Sequence, residues 1–198
     1  MASASPVGLL PADVHQRLTA EFGERITAFQ AEALQPWAVV AADVIAEVAA
    51  FCKSDKALAF DNLMCLSAVD YIKETPPRFE VVYHLLSYKH THKHALKAHV
   101  SRETPEIETV ESVWPVANWH EREAFDMFGI RFLGHSDLRR ILLPDDWEGY
   151  PLRKDWVDPD FYNGMHVKPT AQMAERAMAG EAIGVGPFAF TPPNNHTL

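Results

Sequence analysis

The chain has 198 residues, 47% of them apolar, a formal net charge of −9 and two cysteines. That length closes one sizeable core but falls short of two independent domains, and the acidic balance argues against a broad phosphate-binding face, so no nucleic-acid role is expected. Two cysteines cannot supply the four thiolates of an iron–sulfur cluster, so any cluster must belong to a partner.

The N-terminal stretch MASASPVGLLPADVH lacks a basic segment followed by an apolar one, and no secretory signal is expected. From Pro11 to Phe22, Val14, Leu18 and Phe22 recur every fourth residue and Gly23 follows, which predicts a short amphipathic helix with a glycine cap. PWAVV reads as a strand, and Ala42 to Lys53 as a helix with Val44, Ile45, Val48, Ala49 and Cys52 inward and Asp43 and Glu47 towards water. Those two acids break the longest apolar stretch, Trp37 to Cys52, which is shorter than the roughly 20 residues of a membrane span. Cys52 and Cys65 both sit in apolar surroundings and are expected to be buried, reduced thiols.

RFEVVYHLLSY, Arg78 to Tyr88, alternates with apolar residues on both faces and predicts a strand covered on both sides. HALKAHV, His94 to Val100, alternates Leu96, Ala98 and Val100 against Lys97 and His99, and the two strands form a hairpin. His90, His92 and His94 fall on one side, a conceivable zinc site. They also lie between Lys89, Lys93 and Lys97, whose charges oppose a dication, so a solvated, partly protonated loop is expected.

From Ser112 the period becomes helical: Val113, Val116, Ala117, Ala124, Met127 and Phe128 share a stripe ending at Gly129, with Ser112 as cap and Pro115 in the first turn. Glu123 and Asp126 share a face of this helix, and a paired-carboxylate acid/base site is geometrically available to them. Against it, Arg122 and Asp126 are spaced as an ion pair. Arg131, Arg139, Arg140 and Arg153 follow closely, enough cations to keep every carboxylate ionised, whereas a general acid wants an uncompensated setting. DDWEGYPLRKD, Asp145 to Asp155, has the Trp, Tyr and Arg density of a protein interface, or of an ordinary polar loop. Beyond Trp156 the chain is rich in Pro and Gly, with one short helix expected around Thr170 to Ala179, and the sequon at Asn195 reads as chance. No dinucleotide, P-loop or serine-hydrolase motif occurs.

ANWHEREAFDMFGIRFLGHSDLRRILLPDDWEGYPLRKDW, Ala117 to Trp156, closely resembles the signature region of the 30 kDa subunit of the proton-translocating NADH:quinone oxidoreductase, respiratory complex I. The signature positions are filled by Glu121, Arg122, Glu123, Asp126, Met127, Phe128, His135, Arg139, Ile141 and Leu142. Upstream, Phe60 to Tyr71 resembles the family's helix ending in Val-Asp, and Arg78 to Tyr88 its central strand.

The resemblance implies an α+β fold: a single domain over residues 1–156 with a mixed central sheet packed by helices, then an extended arm over residues 157–198 lying on a partner subunit. It implies a noncatalytic component of the peripheral arm, docked against the large quinone-site subunit of 49 kDa and beside iron–sulfur subunits. FMN and the iron–sulfur clusters belong to those partners, and NADH and quinone are substrates of the complex. No catalytic, cofactor or metal residue is expected in this chain. The residues expected to carry signature and docking are Trp119, Glu121, Arg122, Glu123, Asp126, Phe128 and Gly129 on the helix, His135, Arg139 and Arg140 after it, and Arg153, Lys154 and Asp155. Membrane attachment, on the cytoplasmic side of the inner membrane, is expected through partners only. Homologous subunits of membrane-bound hydrogenases and of ferredoxin- or deazaflavin-dependent complexes share this signature. A reading from another class is an autonomous enzyme using Glu123 and Asp126.

Overall fold

Pro11 opens the first helix where its missing N–H costs nothing, Asp13 accepts the N–H of Leu10, and Gly23 closes the helix by donating to the Thr19 carbonyl. This helix, α1 (Pro11–Phe22), buries Val14 and Leu18. The strands β1 (Ile26–Gln30) and β2 (Trp37–Val40) form an antiparallel pair, of which only the second was expected from the sequence. A single 3-10 turn over Ala42–Val44 leads into α2 (Ile45–Ser54), which turns Ile45, Val48, Ala49 and Cys52 inward and leaves Asp43 and Glu47 exposed. This computed structural model describes residues 8–166.

Three long strands follow: β3 (Asn62–Tyr71), β4 (Arg78–Leu86) and β5 (Lys93–Ser101). The sheet order is β1-β2-β5-β4-β3, antiparallel throughout except where β5 lies parallel to β2. The chain reaches that parallel position by crossing over through α2 and the β3-β4 hairpin, as parallel neighbours require. Phe79, Val81, Tyr83 and Leu85 of β4 and Leu96, Ala98 and Val100 of β5 join the helix residues in one core. Each such side chain, fully buried, contributes about 1.5–3 kcal/mol of apolar transfer. The other face of β4 is largely covered too, as its sequence suggested, and none of its residues is exposed. Val82 is buried outside the main core, and Glu80 is covered by Lys97 (2.9 Å) and His99 (3.1 Å) reaching across from β5.

Two more short strands, β6 (Glu106–Glu108) and β7 (Arg131–Leu133), pair in parallel on either side of α3 (Ala117–Phe128). The chain divides between Trp156 and Val157 into two units. The second unit is described only as a hairpin of β8 (Phe161–Tyr162) and β9 (Met165–His166). The helix expected around Thr170 to Ala179, and most of the arm expected over residues 157–198, lie outside the described residues.

Four local expectations change. Residues Phe60 to Tyr71 are not a helix but the edge strand β3, because residues 65–71 pair in unbroken register with β4 and tertiary pairing overrides the helix propensity of Leu, Met and Ala. The helix starts at Ala117 rather than Ser112: residues 110–116 make separate turns held by Val110 and Trp114 carbonyls, and no side chain caps the helix. Cys65 is only half-buried, since an edge strand has one uncovered flank, whereas Cys52 is fully enclosed.

The histidines are not a solvated loop. His92 is buried, accepting the Leu9 N–H at Nδ1 (3.2 Å) and donating from Nε2 to the Leu58 carbonyl (2.8 Å), which fixes it neutral. His94 is fully buried between Phe29 and Phe60, and burial, reinforced by His15 and His92, pushes its pKa down to about 4. Among the described residues no cluster of His, Cys, Asp or Glu could hold a metal.

Candidate functional site

The dense stretch of α3 and the loop after it is organised by two buried carboxylates. Asp126 has no exposed surface and takes four donors: the N–H groups of Ile141 (3.0 Å), Leu142 (2.7 Å) and Leu143 (2.9 Å), and Arg140 Nη1 (2.7 Å). Burial alone would raise its pKa, but the Leu143 and Leu142 amides, the Arg140 guanidinium and the Ile141 amide outweigh burial and hold it below the usual carboxylate range. Arg140 also donates to the carbonyls of Trp147 (3.0 Å) and Gly149 (3.2 Å), so one ion pair ties the helix to two separate points of the loop.

Glu121 lies one turn earlier on α3, equally buried, and accepts the Thr109 hydroxyl and the Val110 N–H (2.8 Å). Here burial wins: it pushes the carboxyl up to about 7 against those two donors, with the charge of Glu111 adding to the rise. Plentiful arginines therefore do not keep every carboxylate ionised, because the nearby guanidinium groups are turned elsewhere. Arg122 does not pair with Asp126. Its Nε and Nη2 donate to the carbonyls of Arg139 and Arg140 (both 3.2 Å), and its guanidinium lies 5.5 Å from the exposed Trp119 ring. Arg139 is exposed and pairs with Asp137.

Gly129 ends α3 at φ +76°, with its N–H on the Phe125 carbonyl. A Cβ there would stand 2.6 Å from the Tyr150 ring and 2.7 Å from Arg153, so the last turn of the helix and the 150–153 turn close on a residue that must be glycine. Arg153 donates to the Phe128 carbonyl (2.6 Å) and stacks on Tyr150 and Phe79, while Phe128 meets Phe79 edge-on. His135 accepts the Asp137 N–H at Nδ1 (3.0 Å) and donates from Nε2 to the Asn118 carbonyl (3.2 Å), stitching the loop to the start of α3.

Asp155 and Lys154 fasten the end of the loop to the sheet. Arg102 forks onto Asp70 at 2.9 and 3.0 Å and reaches Asp155 at 2.6 Å, while the Lys154 N–H donates to Asp70 (2.8 Å). Asp70, Arg102, Thr109 and Tyr150 are thus structural parts of the arrangement that the sequence alone did not single out. Asp70 carried a signal, as the acid ending SAVDY, but its partner is 32 positions away.

Glu123 and Asp126 do not form a carboxylate pair: Glu123 faces out, while every bond of Asp126 serves the loop. Glu121, Asp126 and Phe128 point inward and add little to the exposed surface. The outward members are Trp119 (62% exposed), Glu123 and Arg139, joined by Leu142 (62%) and Leu152 (50%). The arrangement is chemically an apolar and aromatic shelf, with the pair of buried Asp126 and Arg140 tying the loop to the helix behind it.

Residues 38–162 match the family model described as the respiratory-chain NADH dehydrogenase 30 Kd subunit. A protein of Chloroherpeton thalassium, named as one of the subunits of NADH-quinone oxidoreductase, is 44% identical over 149 residues, 74% of this chain and 61% of that protein. A protein of the same name from Roseiflexus castenholzii is 53% identical over 111 residues, 56% of this chain and 63% of that protein. In the protein of that name from Chlorobium phaeobacteroides, 43% identity over 149 residues takes in 74% of this chain and 89% of that protein. The chain therefore spans just over three fifths of the first two relatives. Among solved structures, a trypsin-resistant fragment of Nqo5 is similar at TM-score 0.56 and 29% identity, covering 66% of this chain and 100% of the fragment. The structure of a membrane-bound sulfane sulfur reductase, an archaeal respiratory membrane complex, includes a chain with the same fold at TM-score 0.63 and 24% identity, over 74% of this chain and 85% of that one.

Proposed function

This chain belongs to the family of the respiratory-chain NADH dehydrogenase 30 Kd subunit, and from that membership we propose that it is a noncatalytic peripheral-arm component of an NADH:quinone oxidoreductase. It docks against the large quinone-site subunit and neighbouring iron–sulfur subunits, which supply the clusters and the FMN, and it has no active site of its own. The observation that carries this reading is the use of Asp126: all four of its donors belong to residues 140–143, so the carboxylate is committed to holding that loop on α3. Such a fixed shelf suits a partner surface, where exposed Trp and Arg are enriched. No described helix is long and apolar enough to cross a membrane, and attachment to the cytoplasmic side of the inner membrane runs through partners.

The test is Asp126→Asn in the host organism. Breaking a buried charge pair costs about 3–5 kcal/mol, so the shelf loosens. Native-gel quantification is expected to show less assembled complex, with NADH:quinone turnover per assembled particle near normal. Full assembly with turnover abolished would overturn the reading in favour of a catalytic carboxylate.

A further inference from the structure

The two edges of the five-stranded sheet are built differently. One, β1, is five residues long and bulged between Ile26 and Ala28, two of the devices by which proteins blunt an edge against further pairing. The other, β3, is ten residues long, and from Cys65 to Tyr71 it runs in unbroken register with β4. Its single irregularity lies at the Leu63–Cys65 end, and it contains no proline and no lysine. Its one charge, Asp70, is turned onto Arg102 and the Lys154 amide.

In an antiparallel ladder each strand sends alternate pairs of N–H and C=O groups to the side away from its partner. Among the described residues, no hydrogen bond other than the β4 ladder reaches the backbone of Cys65 to Asp70. Apolar side chains stand uncovered along this edge: Met64 is 37% and Val69 36% exposed. A groove of about 190 Å³ adjoins it, between β3 and α3, lined by Ser67, Ala68, Met127 and Leu152, with Glu123 as its carboxylate. Only an extended polypeptide can satisfy a row of alternating backbone donors and acceptors while dropping side chains into a neighbouring groove.

We propose that the β3 edge from Cys65 to Tyr71 is a β-augmentation site: it takes an extended segment of another protein of the assembly as a sixth strand, apolar at alternate positions, with a Lys or Arg reaching Glu123 in the groove. The proposal deepens the reading of this chain as an assembly component and rests on it. Charge selects a different protein over a second copy of this one, because two copies each carrying −9 repel, whereas a basic segment is attracted to the same surface.

Hydrogen–deuterium exchange of the full chain, alone and within the complex purified from its host, tests this. On assembly the outward amides between Cys65 and Tyr71 should slow at least 100-fold, while those of Ile26 to Gln30 stay unchanged. Glu123→Arg, an exposed change, should lower recovery of the complex at least fivefold without altering the urea midpoint of the chain alone. If the chain is recovered with oxidoreductase subunits but the β3 amides exchange as fast as before, the edge proposal falls and the assembly reading stands. Recovery with no such subunits overturns both. Protection in the isolated chain that rises with its concentration identifies a second copy as occupant and overturns the proposal, and unchanged recovery with Glu123→Arg removes the basic side chain from it.

Discussion

The Cys52 thiol is enclosed by α2 and the core, and burial, helped by the charge of Asp55, pushes its pKa well up. Cys65, on the edge strand, is half exposed, and burial followed by the charge of Glu123 raises its pKa less far. Reactivity needs both a thiolate and access, so the two thiols part company. In the native chain at pH 8, a thiol reagent is expected to label Cys65 more slowly than free cysteine and to leave Cys52 untouched until urea is added. Equal labelling of both in the native state would contradict the placement of α2. The sequence showed both cysteines in apolar company and could not separate them, because the difference is which flank of a strand lacks a neighbour. The same limit applies to Glu121, Arg122 and Asp126. Their chemistry was legible in the signature, but their partners are backbone groups of residues 109–110 and 139–143, brought near only by the folded loop.

At the scale of elements, periodicity found α1, α2, β4 and β5 because each has one strongly apolar stripe. The helix expected over β3 came from the resemblance and not from periodicity; its fully inward positions are Leu63, Leu66 and Asp70, a spacing near the helical period because the bulge at Leu63–Cys65 breaks the alternation. Periodicity overextended α3 at its start, where Val113 and Trp114 are buried by turns rather than by helix. The end of α3 was legible in Gly129, and the structure adds the reason it matters. Alanine there would adopt an unfavourable positive φ and push its Cβ into Tyr150 and Arg153. Gly129→Ala should cost about 1–3 kcal/mol, the range for a strained residue, and the clash should place it at the upper end. The urea midpoint should fall, and hydrogen exchange should rise in residues 149–153 before it rises in the sheet. A stability equal to that of the unsubstituted chain would show that the 150–153 turn is not clamped on the helix end.

For the molecule as a whole, two buried titratable groups pull stability in opposite directions with pH. His94 is held uncharged, its pKa lowered from 6.5 to about 4, so the unfolded chain takes up that proton first; the stability His94 contributes is complete above about pH 6.5 and is lost as pH falls towards 4. Glu121 is held towards its neutral form, its pKa raised from 4.5 to about 7, so its contribution is complete below about pH 4.5 and is lost as pH rises towards 7. Each shift corresponds to about 3 kcal/mol over its window, and the windows overlap between pH 4.5 and 6.5, where the two slopes cancel. The intact chain should therefore show little change from this pair there, and single substitutions should unmask each member. Relative to the intact chain, Glu121→Gln should gain stability progressively from pH 4.5 to 6.5, leaving the rising slope due to His94. His94→Leu should lose the rising slope and leave a stability that falls over the same range. Other titrating groups, His84 and His92 among them, are common to all three chains and drop out of the differences. Urea midpoints of the three chains at pH 4.5, 5.5, 6.5 and 7.5 decide it: divergence of the two variants in opposite senses is the expected result, and three parallel curves would mean that neither group is held in its uncharged form by the fold.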